Sequence, residues 1–481
     1  MSLQKNFFYS SVLTVSKYLF PLVVYPYISR TLGVSNIGIV NFVDNIINYF
    51  IVVSMMGIMT VGVREIASNK DNKEQLSTTY ISLLCLTAIT TIVAIFVLLI
   101  AMYTVPTLTP YRDMLYIGII KLIFNLFIIE WFYIGMEEFR YITIRSIVIK
   151  CLYVVCVFSF VHDATDYKSY YIISIATIIA NALINIVYSR KFIRYSFRNI
   201  KLCPFWKSYF LLGFYVMTIN VYSSLNIVWL GFVTNTDEVG YYTTATKLHT
   251  IIMAVLSSFT NILFPRVSHL LAEGKTTEYW EKINKALDAV FLFSFPTMAF
   301  MLIAGPELLH MFVGDGFEGA YTPLRIITPL ILIIGIEQIV VIQILMAMHK
   351  DDVVLKNCLG GAIASLIVNY ILTAHLGASG SALVWLTAES VILVLSMIVV
   401  YKEYSFSLPY KRILSYIVTY SPLLLSHYIF NYLTNTYYTL AILILLTVIY
   451  AIVAEVFILK NNILPLVVAP LNKYIKSIPR K

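Results

Sequence analysis

Charged side chains interrupt several long apolar stretches of this sequence, and their chemistry is its most informative feature. An ion in the middle of a membrane helix costs about 2.5–3.5 kcal/mol unless water or an opposite charge solvates it. Such groups can bind an anion, carry a proton or sodium ion, or pair with each other. The basic ones are Lys17, Lys121 and Lys247, and the acidic ones are Asp44, Glu130, Glu337, Glu389 and Glu455. Glu455 falls near the end of the last apolar stretch, where we expect an interfacial position.

The sequence leaves two accounts of these ions open. In the first, they form structural pairs, for example Lys121 with Glu130 or Lys17 with Asp44. In the second, Lys17 and Lys247 line one cavity and attract an anion. Both accounts can hold at once.

A polar stripe occurs twice, at equivalent positions of an internal repeat. An offset of 202 residues aligns Gly38 with Gly240 and Arg64 with Arg266. In each copy, four polar residues are spaced i, i+3, i+4 and i+7, so they share one helix face. They are Asn41, Asp44, Asn45 and Asn48 in the first copy, and Thr243, Thr246, Lys247 and Thr250 in the second. Small polar residues also join helices to each other, but a charged member in each stripe favours a water-filled cavity.

Long apolar segments must position these residues. Of the 481 residues, 59% are hydrophobic and 12% charged, whereas soluble domains carry about 25% charged residues. Runs able to cross about 30 Å of hydrocarbon recur throughout, so the sequence predicts an all-α polytopic membrane protein with about fourteen transmembrane helices. The predicted spans are 7–29, 38–62, 77–103, 114–135, 143–161, 170–189, 206–231, 239–264, 286–304, 326–348, 355–374, 381–401, 413–432 and 438–459.

Basic residues are concentrated in the loops on one side of these spans. That side holds both termini and carries 27 of the 34 Lys and Arg residues, if residues towards the adjoining span ends, among them Arg145 and Lys150, are counted with its loops. The opposite loops carry four and the remaining parts of the spans three. The basic side stays in the cytoplasm, so both termini are expected there and the number of spans is even. Anionic lipid headgroups account for the net charge of +9 without nucleic acid. The five cysteines lack the spacing of a metal site or disulfide framework.

The repeat predicts three parts of the chain. Residues 1–200 form an N-terminal six-helix lobe, and residues 201–405 form a C-terminal six-helix lobe. Residues 406–481 supply two additional transmembrane helices and a basic cytoplasmic tail. Because each repeat contains an even number of spans, the two lobes have the same orientation in the membrane.

Four segments carry a family resemblance. They are Pro26–Gly33 with Gly38, Glu130–Arg145, Phe312–Phe317 with Pro323–Arg325, and Gly377–Ala382. In these segments the chain resembles the Wzx-type oligosaccharide flippases of the multidrug/oligosaccharidyl-lipid/polysaccharide exporter superfamily. The resemblance implies a MATE-like fold with a cationic central cavity. The residues it suggests for headgroup contact are Lys17, Arg30, Arg64, Lys247 and Arg266, although Arg64 and Arg266 also suit anchoring at the membrane surface.

The resemblance implies a transporter, not an enzyme. Its cargo would be an oligosaccharide on polyprenyl pyrophosphate, moved by alternating access to the outer leaflet of the bacterial inner membrane for O-antigen, lipopolysaccharide or related polysaccharide biosynthesis. The expected partners are this lipid-linked oligosaccharide, membrane lipids and other polysaccharide-assembly membrane proteins. The membrane potential favours export of an anion, so neither a cofactor nor a coupling ion is required. Residues that could nevertheless bind H⁺ or Na⁺ are Asp44, Glu130, Glu337 and Glu389.

Three alternatives remain open at this point. A cation-coupled multidrug exporter shares the fold, but such exporters typically have twelve spans and acidic cavities. A lipid-linked peptidoglycan precursor flippase fits the same helices. A membrane polysaccharide polymerase would need catalytic acids in a large outer loop, and the longest one, 305–325, offers only Glu307, Asp315 and Glu318.

Overall fold

The structure is a computed structural model that describes residues 3–194, 200–220, 224–425 and 436–459. These ranges form helices joined by short turns, and no strand occurs in them. The helices are α1 Leu3–Met55, α2 Ile58–Asn69, α3 Lys73–Thr104, α4 Arg112–Asn125, α5 Glu130–Gly135, α6 Phe139–Phe160, α7 Tyr167–Ser189, α8 Cys203–Asn220, α9 Asn226–Val233, α10 Thr236–Ala272, α11 Thr276–Val313, α12 Tyr321–Ile327, α13 Leu330–Glu337, α14 Asp351–Val368, α15 Ala374–Tyr404, α16 Tyr410–Leu424 and α17 Thr436–Val453. Three π-helical segments, Gln338–Met346, Asn369–Thr373 and Ala454–Ile458, follow α13, α14 and α17.

The predicted spans coincide with these helices. Ten helical segments within the described ranges are long and apolar enough to cross a membrane. Two of them, Ser11–Met55 and Asp351–Tyr404, each contain two predicted spans, and the seventh and thirteenth spans fall on α8–α9 and α16. The all-α membrane fold is therefore confirmed. The end of the thirteenth span, 426–432, and the basic tail after residue 459 lie outside the described residues.

Helices are the expected form of these segments because hydrocarbon offers no partners to backbone N–H and C=O groups. Polar caps mark helix ends where water is available. Asn72 caps α3, since its side chain accepts hydrogen bonds from the backbone N–H groups of Glu74 and Gln75 at 3.1 and 3.2 Å. Outward-facing apolar side chains such as Phe96, which is 64% exposed, suit contact with lipid.

The backbone of α1 is interrupted at Gly33, whose φ of 75° is left-handed and favours glycine. Before this residue, α1 runs parallel to α6. The side chain of Thr143 donates to the backbone oxygen of Tyr9, and that of Tyr27 donates to the backbone oxygen of Val161. Both contacts join residues 134 positions apart, so the two helices keep one register and one direction.

The chain reverses its direction at Gly33. After this residue, α1 runs parallel to α4, because Phe42 contacts Tyr111 and Asn48 bonds to Lys121. Helix α4 is parallel to α7, and α7 is antiparallel to α6, so the two halves of α1 are antiparallel. The contacts that define these directions are Asp113–Lys168, Gly118–Tyr171, Tyr153–Tyr170 and Tyr141–Tyr188.

The directions of the later helices can be read from their contacts in the same way. Helix α10 is parallel to the α13 segment and α11 is parallel to α16, whereas α14 is antiparallel to α15 and α16 to α17. Two contacts define each of these four helix pairs and are given in the same order: Leu256–Gly335 with Thr260–Gln343, Asp288–Arg412 with Phe295–Tyr420, Asn357–Ser396 with Gly361–Ala388, and Tyr416–Glu455 with Thr419–Tyr450. Successive spans thus alternate in direction, as membrane crossings require.

A second trace of the repeat appears in the backbone. Glu137 and His349 have nearly the same left-handed φ, 60° and 59°. Each lies two residues before a helix, α6 at Phe139 and α14 at Asp351. These positions are 212 residues apart and not 202, so the second copy has gained ten residues by this point.

The chain forms two compact units. The first comprises Met1–Thr243 with Thr373–Gly377, and the second Thr244–Leu372 with Ala378–Lys481. The boundary falls inside α10, so this helix contributes to both. An aromatic cluster that includes Tyr80, Trp131 and Phe132, each at most 2% exposed, forms part of the core of the first unit.

Candidate functional site

The polar stripe of α1 contains a largely buried ion pair. Lys121 Nζ of α4 lies 2.6 Å from Asp44 Oδ1 and donates to Asn48 Oδ1 at 2.8 Å. Asn48 also donates to the second oxygen of Asp44 at 3.0 Å. The Lys121 side chain is 10% exposed and that of Asp44 29%. Lys121 therefore pairs with Asp44 and not with Glu130, the example suggested from the sequence.

The two polar stripes meet where the repeat aligns them. Asn41 Nδ2 donates to Thr243 Oγ1 at 3.0 Å, and these residues are related by the 202-residue offset. Asn45 donates to the backbone oxygen of Asn41 at 2.8 Å. The stripes are thus in contact at their first positions.

Glycines allow the two copies to approach closely one turn before this contact. A Cβ atom on Gly38 would lie 1.8 Å from the backbone oxygen of Thr236, and one on Gly240 would lie 2.5 Å from that of Val34. Ser35 Oγ lies 3.2 Å from Thr236 Oγ1. The start of α10 and the α1 segment after Gly33 are therefore closed against each other at this end.

Glu130, a half-buried acid of the first unit, pairs with an arginine. Arg145 Nη2 lies 2.9 Å from Glu130 Oε1, and Nη1 donates to the side chain of Asn185. Tyr133 donates its hydroxyl to the backbone oxygen of Asn185 at 2.5 Å. The Arg145 side chain is 3% exposed. The Glu130 charge is thus balanced within the protein.

Two lysines lie near each other with no ion pair of their own. Lys150 of α6 donates to Ser16 Oγ at 3.0 Å and lies over the Phe20 ring. It is close enough to Lys17, and also to the acid Glu130, for the charges to interact. Lys17 is exposed and Lys150 half-buried. Neither lysine forms a salt bridge with any residue in the described ranges. The sequence-based charge count placed Lys150 and Arg145 in a loop, but both lie inside α6.

The second unit contains a pair of carboxyl groups. Glu337 and Glu389 lie close enough for their charges to interact, and Trp385 Nε1 donates to Glu389 Oε1 at 2.9 Å. Glu389 is 8% exposed. His249, 1% exposed, packs its ring 5.0 Å from Trp385, and neither ring nitrogen has a partner among the described residues. Two ionised carboxyl groups at this proximity repel each other, so a proton on either of them would relieve the repulsion.

The other residues predicted for the site are more exposed. Thr246 and Lys247 of α10 are half-buried and Thr250 is exposed. Arg30, Arg64 and Arg266 are exposed, and Arg64 pairs with its neighbour Glu65 at 3.0 Å. Their role in headgroup contact stays a prediction.

Glu455 differs from its predicted interfacial position. It is 1% exposed and accepts hydrogen bonds from the hydroxyl groups of Tyr416 and Tyr420 at 3.0 and 3.2 Å. This carboxyl group therefore joins α16 to the π segment that follows α17. The sequence contains a signal for this contact, because Tyr416 and Tyr420 are spaced i and i+4, which places both hydroxyl groups on one helix face.

Alternating helices with ions held inside them define a polytopic membrane protein. The chain belongs to the family described as polysaccharide biosynthesis protein, which matches residues 3–271. The family resemblance expected from the four sequence segments is thereby confirmed.

Two curated relatives carry the name "Putative O-antigen transporter". The protein from Escherichia coli (strain K12) is 24% identical over 401 residues, which cover 82% of this chain and 95% of the relative. The protein from Shigella dysenteriae is 23% identical over 412 residues and covers 82% of this chain and 99% of the relative.

Solved structures share the fold at low sequence identity. A lipid II flippase MurJ in an inward closed conformation matches with a TM-score of 0.78 and 15% identity, covering 94% of this chain and 98% of that one. An inward-facing multidrug resistance MATE family transporter matches with a TM-score of 0.62 and 14% identity, covering 80% and 94%. The MATE-like fold is confirmed by these matches.

Proposed function

We propose that this protein moves polyprenyl-pyrophosphate-linked oligosaccharides from the cytoplasmic to the outer leaflet of a bacterial inner membrane for surface polysaccharide biosynthesis. Its family and the O-antigen transporter relatives support the substrate class. The structural observation that carries the proposal is the position of Lys150 on α6, which donates at 3.0 Å to Ser16, the neighbour of Lys17 on α1. Two like charges repel each other there, and an anion that joins them relieves this cost. A pyrophosphate headgroup is such an anion.

The proposed orientation rests on the basic loops, which predict a cytoplasmic position for both termini. Outward movement of about two negative charges then gains about 2.3 kcal/mol per charge for each 100 mV of inside-negative potential. Transport of this kind breaks no covalent bond, so the protein needs no catalytic residue.

Alternating access requires one end of the path to be closed at a time. In the proposed orientation, the contact of Gly38 with Thr236 and of Gly240 with Val34 lies towards the outside. Opening to the outside therefore requires the second half of α1 and the start of α10 to separate at these residues.

The carboxyl pair is the group best suited to a coupling ion. Asp44 and Glu130 are each neutralised by a basic partner, whereas Glu337 and Glu389 face each other. A proton on one of these carboxyl groups would relieve their repulsion and allow them to share a hydrogen bond. No group of three or more His, Cys, Asp or Glu residues suited to a metal ion occurs in the described part of the chain.

The substrate is tested by mass spectrometry of lipids from cells that lack the gene. We expect a polyprenyl-pyrophosphate oligosaccharide to accumulate in the cytoplasmic leaflet, and the intact gene to clear it. Accumulation of the peptidoglycan precursor instead, or sensitivity to cationic drugs without lipid accumulation, would assign the protein to a different transported substrate.

The lysine pair is tested in the same cells. Lys17→Gln and Lys150→Gln should each slow clearance about ten- to hundredfold, since a hydrogen bond to a charged group contributes about 1.5–3 kcal/mol. Lys150→Arg should retain more activity than Lys150→Gln. Lys168→Gln is the matched control, because Lys168 is 47% exposed and pairs with Asp113 away from this site. Equal activity of all four variants would contradict anion binding by the pair.

The closed contact is tested with paired cysteines. Ser35→Cys with Thr236→Cys should form a disulfide, because the native oxygens are 3.2 Å apart. Oxidation should stop lipid export and a reductant should restore it, whereas either single cysteine should leave export unchanged under both conditions. Full export by the cross-linked protein would show that this contact does not open during transport.

A further inference from the structure

A groove lies between α6 and α7 in the first unit, where α6 begins and α7 ends. It encloses about 510 Å³ and continues into a shallower depression of about 340 Å³ along the same two helices. A volume of this size is typical of pockets that bind small organic ligands.

The polar end of the groove is basic. Arg140 and Lys191 line it and are both exposed, and Arg140 forms no salt bridge with another described residue. Glu138 is the acidic group at this end, and Tyr188 donates a hydroxyl hydrogen bond to it at 3.3 Å. Arg145 also lines the groove, but its charge is already balanced by Glu130.

The opposite end of the groove is apolar and faces outward. Ile144 and Val148 of α6 are 48% and 59% exposed, and Ile184 and Val187 of α7 are 43% and 66% exposed. Helix faces with such side chains contact acyl chains in a membrane. A ligand in this groove would therefore have a charged head and a hydrocarbon tail.

A pair of stacked tyrosines lies between the two ends. The rings of Tyr141 and Tyr188 are 3.7 Å apart and inclined by 9°. Lys191 Nζ lies 5.6 Å from the centre of the Tyr188 ring. Tyrosine is enriched at the depth of lipid headgroups because its ring is apolar and its hydroxyl is polar. The order basic, aromatic and apolar along the groove matches the order phosphate, glycerol and acyl chain in a phospholipid.

We propose that this groove binds an anionic membrane phospholipid, with its phosphate between Arg140 and Lys191 and an acyl chain along Ile144 and Ile184. The polar stripe and its ion pair lie on α1 and α4, so the lipid occupies a site separate from that stripe. Tyr141 also donates to Asn185, which binds Arg145. The bound lipid would therefore stabilise the packing of α6 against α7.

The test is native mass spectrometry of the full-length protein, delipidated and then titrated with phosphatidylglycerol or with zwitterionic phosphatidylethanolamine. Arg140→Gln with Lys191→Gln should weaken phosphatidylglycerol retention about 25-fold, because each basic residue contributes about a fivefold factor at an anionic surface. Binding of phosphatidylethanolamine should change little. Lys402→Gln with Lys411→Gln removes two exposed charges elsewhere and should retain phosphatidylglycerol normally.

A second variant tests the groove without changing its charge. Ile184→Trp fills the apolar end and should also abolish selective phosphatidylglycerol retention. Undiminished retention in both variants would overturn the proposal. Displacement of phosphatidylglycerol by an equimolar polyprenyl phosphate would also overturn it, because the groove would then belong to the path of the transported lipid.

Discussion

The ion pair of Asp44 and Lys121 allows a structural role to be separated from a coupling role. If the pair only stabilises the helices, removal of one charge should unfold the protein more easily, and removal of both should restore it. Asp44→Asn keeps the shape of the side chain, and Lys121→Met keeps most of its length. Transport by the double variant then reports whether either charge is needed for function.

The expected size of the effect follows from the geometry. At 2.6 Å, two unit charges attract by about 6 kcal/mol in a medium of effective dielectric constant 20, before desolvation is subtracted. Removing one partner leaves the other charge unpaired, which costs about 3–5 kcal/mol for a buried pair. We therefore expect each single variant to lose several degrees of thermal midpoint and the double variant to recover most of it.

The assay is thermal unfolding of the purified full-length protein, followed by lipid export in cells. Asp113→Asn is the matched control, because Asp113 also pairs with a lysine, Lys168, but its side chain is 80% exposed. Such a pair contributes about 0–1 kcal/mol. Strictly additive losses in the double variant would refute the reasoning. A stable double variant that fails to export lipid would assign one of the charges to transport itself.

Two further predictions concern packing in the first unit. Gly240→Val should destabilise the protein by at least about 1–3 kcal/mol in thermal unfolding, because the added Cβ would meet the Val34 backbone. The control Gly305→Ala should be neutral, because the atom nearest to its Cβ lies 3.4 Å away. Equal stability of the two variants would contradict the contact between Gly240 and Val34. Arg145→Lys keeps the positive charge beside Glu130 but loses the planar guanidinium group that holds two partners. This variant should therefore lower the stability of the protein by about 1–3 kcal/mol. An unchanged midpoint of thermal unfolding would show that the guanidinium group is dispensable.

The number and placement of the membrane helices could be predicted from the sequence because the physical constraint is strong. Each crossing needs about 20 apolar residues, and the sequence repeats such runs. Direction follows, since successive crossings must alternate. The reversal at Gly33 is the least obvious case, because the helix continues on both sides of a single glycine.

The partners of the buried ions could not be predicted in the same way. Helical periodicity shows that Asp44 and Asn48 share a face, but not which helix that face contacts. Lys121 was expected beside Glu130 because the two residues are near in sequence. The chain turns between α4 and α5, however, so Lys121 pairs with Asp44 and Glu130 pairs with Arg145. Arg145 was missed because a basic residue close to a predicted span boundary resembles an interfacial anchor.

The two units use buried charge differently, and this difference bears on function. In the first unit, Asp44 and Glu130 each have a basic partner, so the positive charges of Lys17 and Lys150 are in excess and favour an anion. In the second unit, Glu337 and Glu389 lie near each other, and a proton on one of them would relieve the repulsion of the two charges. An arginine beside Glu389, comparable to Arg145 beside Glu130, would replace that proton with a permanent charge. The absence of such a salt bridge among the described residues of the second unit is therefore the reason to seek proton dependence there, and to seek substrate anion dependence in the first.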